Sequence, residues 1–335
     1  MAKPRVLITT LPFGERDRRP LALLDAAGLD AVINPLGRKL QPGEIDDLIG
    51  SFDALVAGTE DITAETLDKA ADLKVIARVG IGLDSVDLVA ARERGVAVAY
   101  TPDGPSTAVG ELTIGLMIDL LRGVAVADRA LRAGTWRRIM GRRLAESTVG
   151  VIGAGRIGKL VIRHLAGGFP GVRILANDLK PDSAFGAKHG VTWADKERIY
   201  READVITLHV PLTGKTRGMI GEREIATMKP AVCLVNTARG GIIDEANLAA
   251  ALDARRIAGA ALDVFETEPY DGGLARRGNC LVTCHMGSMS EDCRARMETE
   301  AAEEVVRFFS GAPFQNPIPE EEYELARERR GDGRA

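Results

Sequence analysis

Cysteine is scarce in this chain: four thiols in 335 residues, Cys233, Cys280, Cys284 and Cys293. That is too few for a disulfide-stapled scaffold and points to a reduced, cytoplasmic setting. Three of them share a 14-residue stretch with His285, but the spacing is not the paired Cys-x2-Cys of a zinc knuckle and no second cluster exists. No metal site is expected. Long hydrophobic runs are also missing. The most apolar stretch, 112–121, is too short to span a bilayer and carries Asp119. The N-terminus enters strand-like sequence at once, without a signal-peptide layout. Neither charge sign dominates: 44 Lys and Arg face 48 Asp and Glu, a formal charge of -4. Such a balance offers no general attraction to nucleic acid or to an anionic membrane. Internal repeats and low-complexity tracts are absent.

What remains is an ordinary globular composition, 45% hydrophobic and 27% charged, long enough for about two domains. Aliphatic and β-branched runs alternate with amphipathic stretches from end to end. Strands are expected over 5–10, 31–33, 54–57, 74–77 and 96–100, with helices over 21–27 and 64–71 between them. This alternation predicts an α/β protein, two doubly wound Rossmann/flavodoxin-like domains with parallel sheets. The turn-rich segment Tyr100-Thr-Pro-Asp-Gly-Pro-Ser106 reads as the crossing between them, and Ser106 as the N-cap of a helix over 107–122. A second unit opens at Thr148, with strands near 205–210, 231–236, 258–262 and 281–283 and a last helix over 291–309. The expected domains are 1–101 plus 289–318, a discontinuous substrate-binding unit, and 102–288, a nucleotide-binding unit. Residues 319–335, rich in Glu and Arg, read as a charged, frayed tail.

The strongest local signal is Gly153-Ala154-Gly155-Arg156-Ile157-Gly158, directly after the apolar run Thr148-Val149-Gly150-Val151-Ile152. Asp178 follows 20 residues beyond the last glycine, at the end of a second apolar run. A bare GxGxxG is weak, but strand, glycine turn, helix, strand and terminal acid in that order are the dinucleotide fingerprint. The helix N-terminus offers free N–H groups and a positive dipole end to a pyrophosphate. Asp178 accepts from ribose hydroxyls and repels a 2′-phosphate, which favours NAD over NADP. The first unit has no such glycine motif of its own.

Three polar residues stand where strands of the second unit end: Arg239 before Gly-Gly, Glu268 in Phe265-Glu-Thr-Glu-Pro269, and His285 after Leu281-Val-Thr-Cys284. A guanidinium binds a carboxylate bidentately. An imidazole exchanges the proton of a carbonyl/hydroxyl pair, and a carboxylate beside it stabilises the imidazolium and fixes its tautomer. With a nicotinamide as hydride carrier, such a trio interconverts a 2-hydroxy acid and a 2-oxo acid. Each residue alone has a plain structural reading; behind a dinucleotide fingerprint, the three together point to chemistry.

The chain resembles the NAD-dependent D-2-hydroxyacid dehydrogenase family, which includes phosphoglycerate dehydrogenases, glyoxylate/hydroxypyruvate reductases and D-lactate dehydrogenases. The segments that carry the resemblance start with Ala77-Arg-Val-Gly-Ile-Gly-Leu-Asp-Ser-Val-Asp-Leu88, Thr107-Ala-Val-Gly-Glu-Leu-Thr113, the fingerprint and Leu208-His-Val-Pro-Leu-Thr213. Asn236-Thr-Ala-Arg-Gly-Gly241, Ala261-Leu-Asp-Val-Phe-Glu-Thr-Glu-Pro269 and His285-Met-Gly-Ser288 follow in the family's order. The resemblance implies an active site in an interdomain cleft, with Arg239 binding substrate, Glu268 assisting and His285 as acid/base. It also implies NAD contacts from Gly153, Gly155, Arg156, Ile157, Gly158 and Asp178. Val210, Thr237, Ala238, Asp263, Gly287 and Ser288 are expected at or near its nicotinamide end. Backbone N–H groups at Ile81 and Gly82 are expected to hold the substrate carboxylate. A hinge and a homodimer built around the helix over 107–122 are further expectations.

Arg78 resembles the arginine that phosphoglycerate dehydrogenases turn to a phosphate, and Arg137 with Arg138 resembles a basic cluster that reaches a neighbouring subunit's site. The substrate reading is therefore a D-2-hydroxy/2-oxo acid pair, with a phosphate- or phosphonate-like tail left open because Ala57 stands where those enzymes carry another arginine. The resemblance stops short of any C-terminal regulatory domain, so feedback through one is not expected. Cys284 replaces the proline usual before the histidine, and Met286 and Met289 are atypical in their loop; no catalytic group is lost. Two alternatives stay open: a formate- or phosphite-type dehydrogenase on the same scaffold, and a non-catalytic NAD-sensing protein like the corepressors that share it.

Overall fold

A computed structural model describes residues 3–330. The chain divides into two units, one from Met1–Pro105 and Ser288–Ala335, the other Ser106–Gly287. Among the described residues no helix is long and apolar enough to cross a membrane.

Unit one is built on five parallel strands: β1 (Arg5–Ile8), β2 (Asp30–Ile33), β3 (Ala54–Ala57), β4 (Val75–Arg78) and β5 (Ala97–Tyr100). They pair in the order β2-β1-β3-β4-β5. Every residue of β3 and β4 is buried, as expected of a parallel sheet covered on both faces. Helix Glu291–Ser310 returns to this unit and packs on β3, β4 and helix Arg19–Ala26. Glu291 and Asp292 in its first turn and Arg307 in its last complement the helix dipole, and Gly311 stops it at φ +74°.

The frayed-tail expectation does not hold for residues 320–330, which form helix Glu320–Arg330. Its buried Tyr323 and Ala326 join the core beside Leu88, and Arg92 lies 3.3 Å above the Tyr323 ring. Arg92 also donates to both carboxylate oxygens of Glu320, at 2.9 and 2.8 Å. These contacts hold the helix, itself built of good helix formers, against the core of unit one. The rest of the expected tail, 331–335, lies outside the described residues.

Unit two carries seven parallel strands: β6 (Thr148–Ile152), β7 (Arg173–Asn177), β8 (Val191–Trp193), β9 (Val205–Leu208), β10 (Cys233–Asn236), β11 (Gly259–Leu262) and β12 (Cys280–Val282). Their order is β12-β11-β10-β9-β6-β7-β8. It reverses between β6 and β9, and a doubly wound sheet binds ligand beyond the C-terminal strand ends at such a switch point. Helices Ser106–Arg122 and Arg156–Gly168 pack on each other over this sheet. One local expectation fails here. Ser106 is the first helical residue rather than the N-cap, and its buried hydroxyl has no hydrogen-bond partner among the described residues.

Candidate active site

The turn after β6 uses its three glycines for three different reasons. Gly153 has φ +92°, and a Cβ on it would lie 2.3 Å from the His209 carbonyl oxygen. A Cβ on Gly158 would meet the Gly153 carbonyl oxygen at 2.0 Å, so this glycine lets the helix press onto the turn. Gly155 is the contrast: nothing lies within 4 Å of its missing side chain. No packing among the described residues demands a glycine there. Gly155 is the N-cap of the 13-residue helix Arg156–Gly168, whose first N–H groups have no intrahelical partner. A cradle kept clear at a helix N-terminus suits a phosphate group. Arg156 beside it is exposed and Ile157 half-buried.

Asp178 directly follows β7 and is half-buried. Its Oδ2 accepts the Ala154 N–H at 2.7 Å, tying the acid to the glycine turn, while Oδ1 accepts the Lys180 N–H at 2.8 Å. Both bonds place a carboxylate at the second strand end of the fingerprint. Val210, just past β9, is packed on the core, with its Cγ1 2.9 Å from where a Gly153 side chain would begin.

Beyond β10 the chain turns on Asn236, which is 2% exposed. Its Oδ1 accepts the Ala238 N–H at 3.0 Å and its Nδ2 donates to the Arg239 carbonyl at 2.8 Å. The Arg239 loop is therefore braced from its own strand. Thr237 is buried and shares a 2.9 Å hydroxyl contact with Thr113 on helix Ser106–Arg122. The half-buried Arg239 donates to the Ala238 carbonyl at 2.6 Å. Gly240 is obligatory for close approach, because a Cβ there would come 1.9 Å from the Phe265 carbonyl oxygen. That contact seats the arginine loop against the segment leading to Glu268.

Asp263 follows β11 and is 1% exposed. Its Oδ1 accepts the Thr283 hydroxyl at 2.6 Å and the Met286 N–H at 2.8 Å; its Oδ2 accepts the Gly287 N–H at 2.8 Å. This one carboxylate holds the turn after β12. His285 sits in that turn at φ 51°, a left-handed conformation rare for a residue with a side chain and common at functional sites. Its Nδ1 lies 2.8 Å from Glu268 Oε2 and 3.1 Å from Oε1, and Glu268 Oε1 also accepts the Phe265 N–H at 3.2 Å. With Nδ1 committed to the carboxylate, Nε2 is the nitrogen left for a reacting group.

His209 is the other histidine at this end of the sheet. Its Nε2 is 2.9 Å from the Thr207 hydroxyl, its buried Nδ1 has no partner among the described residues, and burial pushes its pKa down to about 3. A ring held neutral suits a wall of the site rather than proton transfer.

The β10, β11 and β12 ends are neighbours, so the structure brings Arg239, Asp263, Glu268 and His285 to one end of the sheet that also carries Gly153, Asp178 and Val210. The sequence left out Asn236 and Thr113; an Asn at a strand end ahead of Thr-Ala-Arg is the available signal for the first. Ser288 begins the segment that belongs to unit one. Ile81 and Gly82 lie half-buried in the loop after β4 of unit one. Arg78, the last residue of β4, is buried and turns its guanidinium onto the Val79 carbonyl, over Gly80. Arg138 is exposed, in an irregular segment of unit two.

This arrangement is that of a dinucleotide-binding α/β unit carrying a histidine–carboxylate pair. The chain belongs to the D-isomer specific 2-hydroxyacid dehydrogenase family, whose NAD-binding domain profile matches residues 114–287. It is 40% identical over 281 residues to a D-3-phosphoglycerate dehydrogenase of Methanocaldococcus jannaschii, covering 82% of this chain and 53% of that protein. It is 37% identical over 276 residues to a hydroxypyruvate reductase of Thermotoga maritima, covering 80% of this chain and 88% of that one. Among solved structures, the TT0316 protein of Thermus thermophilus superposes with a TM-score of 0.84 at 33% identity, over 94% of this chain and all of the other. The chain spans about half the length of the phosphoglycerate dehydrogenases it matches.

Proposed function

We propose that this protein is an NAD-dependent oxidoreductase that interconverts a D-2-hydroxy acid and a 2-oxo acid. The observation that carries the reading is the 2.8 Å pair of His285 Nδ1 and Glu268 Oε2, at the same sheet end as the glycine turn. In this reading Arg239 binds the substrate carboxylate and polarises the neighbouring carbonyl. His285 gives its Nε2 proton to the carbonyl oxygen in reduction and takes it back in oxidation, while Glu268 stabilises the imidazolium. Backbone N–H groups at Ile81 and Gly82 are further donors for a substrate carboxylate in this reading. When bound, the nicotinamide supplies the hydride carrier.

The cleared position at Gly155 and the acid at Asp178 support a dinucleotide. Gly153, Gly155, Arg156, Ile157 and Gly158 would hold its pyrophosphate, Asp178 its adenosine ribose, and Val210, Thr237, Ala238, Asp263, Gly287 and Ser288 its nicotinamide end. The charge of Asp178 supports NAD over NADP. A homodimer is supported by the exposed apolar side chains of 124–140 in unit two, and a cytoplasmic setting by the sparse thiols.

The test is NADH oxidation by the purified protein against glyoxylate, pyruvate and hydroxypyruvate. Turnover that falls at least about 100-fold in His285→Ala supports the reading. Activity only with formate or phosphite and NAD would replace it with that chemistry, and NADH binding without any turnover would make the protein a sensor.

A further inference from the structure

The loops that follow β3 and β4 in unit one are laced together. The Val79 N–H donates to the Ala57 carbonyl at 2.9 Å, the Ile62 N–H to the Ser85 carbonyl at 2.7 Å, and the Asp87 N–H to the Ile62 carbonyl at 2.9 Å. One loop carries Ile81 and Gly82; the other carries Glu60.

Glu60 is half-buried and held in place by hydrogen bonds. Its Oε1 accepts the Gly58 N–H at 3.0 Å and a very short bond from the Thr9 hydroxyl. Both bonds fall on Oε1, and Oε2 lies over the space that Gly58 leaves: a Cβ there would be 2.7 Å from Oε2 and 3.2 Å from Thr10 Cα. Thr9 follows β1 and Gly58 follows β3, the two strands between which this sheet's order reverses. A doubly wound sheet takes ligands beyond such strand ends. The arginine beside this point is neutralised in place. Arg294 donates to the Pro12 carbonyl at 2.6 Å and the Thr10 hydroxyl at 3.3 Å, and lies 2.9 Å from Glu298, itself accepting the Gly14 N–H at 2.9 Å. Arg78 turns its guanidinium back onto its own loop, at the Val79 carbonyl. The edge therefore presents a positioned carboxylate oxygen beside the loop assigned to the substrate's own carboxylate.

We propose that Glu60 sets the specificity of the site for the substrate's tail, accepting a hydrogen bond from a hydroxyl on the carbon next to the carbonyl and repelling a phosphate there. The proposal rests on the 2-oxo acid reading above. A carboxylate acceptor strengthens a bond to a neutral donor, and an anion held beside it is repelled in a partly desolvated site.

The experiment compares kcat/KM with NADH for hydroxypyruvate, pyruvate and 3-phosphohydroxypyruvate in the wild-type protein, Glu60→Ala and Glu60→Gln. Wild type should favour hydroxypyruvate over pyruvate by about tenfold or more, and Glu60→Ala should bring that ratio close to one. Glu60→Gln keeps an acceptor without the charge, so it should retain the hydroxyl preference and raise the phosphorylated acid relative to pyruvate by about tenfold. Should Glu60→Ala fail to fold, the Gln variant still decides on the phosphate ratio. Ratios unchanged in the variants, or a wild-type preference for the phosphorylated acid, overturn the role of Glu60 and leave the 2-oxo acid reading standing. Turnover of glyoxylate with none of the three acids overturns the role of Glu60 alone, and NADH oxidation with none of these four acids overturns both.

Discussion

Asp263 Oδ2 accepts the Gly287 N–H at 2.8 Å while its Oδ1 takes the Met286 N–H, so one buried carboxylate shapes the turn that carries His285. An amide cannot accept on both sides, because one oxygen becomes an NH2 facing a backbone N–H. Asp263→Asn should lower kcat by about 10- to 100-fold, since small misplacements of a reacting group are costly. The unfolding midpoint should fall by only a few degrees, for a loss of about 1–3 kcal/mol at one buried group. A variant with wild-type kcat would show that Asp263 does not position His285.

Glu268 tests the next link. Glu268→Gln retains a side-chain oxygen for the Phe265 N–H but no longer stabilises the imidazolium. A drop of about tenfold to 100-fold in kcat/KM is expected, with NADH affinity measured by fluorescence titration unchanged. Equal losses in NADH affinity and turnover would instead mark Glu268 as part of the loop's scaffold.

The glycines separate stability from binding. A Cβ at Gly155 meets nothing within 4 Å, whereas one at Gly158 meets the Gly153 carbonyl at 2.0 Å. Gly158→Ala should destabilise the fold by about 1–3 kcal/mol through overpacking, visible as a lower midpoint of thermal unfolding. Gly155→Val should leave that midpoint within a degree or two and raise the Kd for NADH by about tenfold or more. If Gly155→Val binds NADH normally, the open position does not receive the pyrophosphate.

The sheets and the nucleotide turn were legible because strands such as Val205–Leu208 and Cys233–Asn236 are aliphatic runs bounded by turn residues, and because Gly153 to Asp178 form one local unit. Depth was not legible. Arg78 carries a charge that reads as surface, yet it ends β4, a fully buried strand paired on both sides. Helix Glu320–Arg330 looks like a solvated tail by composition; what orders it is Tyr323 under Arg92, two residues far apart in the chain that no local pattern connects. The placement of Glu60 likewise depends on Thr9 and Gly58, which only the β1–β3 pairing brings together. Asn236 was missed for a smaller reason: its side chain serves the backbone of the loop that carries Arg239, so its only signal is an Asn at a strand end rather than a reactive group.

Acid should act on unit two through Asp204. Burial pushes its carboxyl up, but the Thr148 N–H, Lys229 and Arg142 outweigh that and hold it below the ordinary carboxylate range. The folded state then binds a proton less readily than the unfolded chain. The resulting stability is full above about pH 5 and is lost as pH falls through the ordinary carboxylate value of about 4 and below. Asp204→Asn should cost about 2 kcal/mol at pH 7, the worth of hydrogen bonds to a charged group, and the deficit should shrink toward pH 3. Urea unfolding at pH 7, 5 and 3 measures this; a deficit constant across that range would assign the effect to shape rather than charge.

The proposed homodimer makes a separate demand on the segment after helix Ser106–Arg122. Helix Val124–Arg132 buries none of its residues, and the irregular stretch beyond it leaves Trp136 81% and Met140 98% exposed. A contiguous exposed apolar patch marks an interaction surface, and this segment supplies the large apolar side chains for one. Ile139 does turn inward, against the position of Gly123, so the stretch is anchored while Trp136 and Met140 point away. Trp136→Glu combined with Met140→Glu places two charges where apolar surface would be buried. Sedimentation velocity at micromolar concentration should show a dimer for the wild-type protein and a monomer for the double variant, with the same far-ultraviolet circular dichroism. A wild-type monomer, or a double variant that still dimerises, would move the interface elsewhere or remove it.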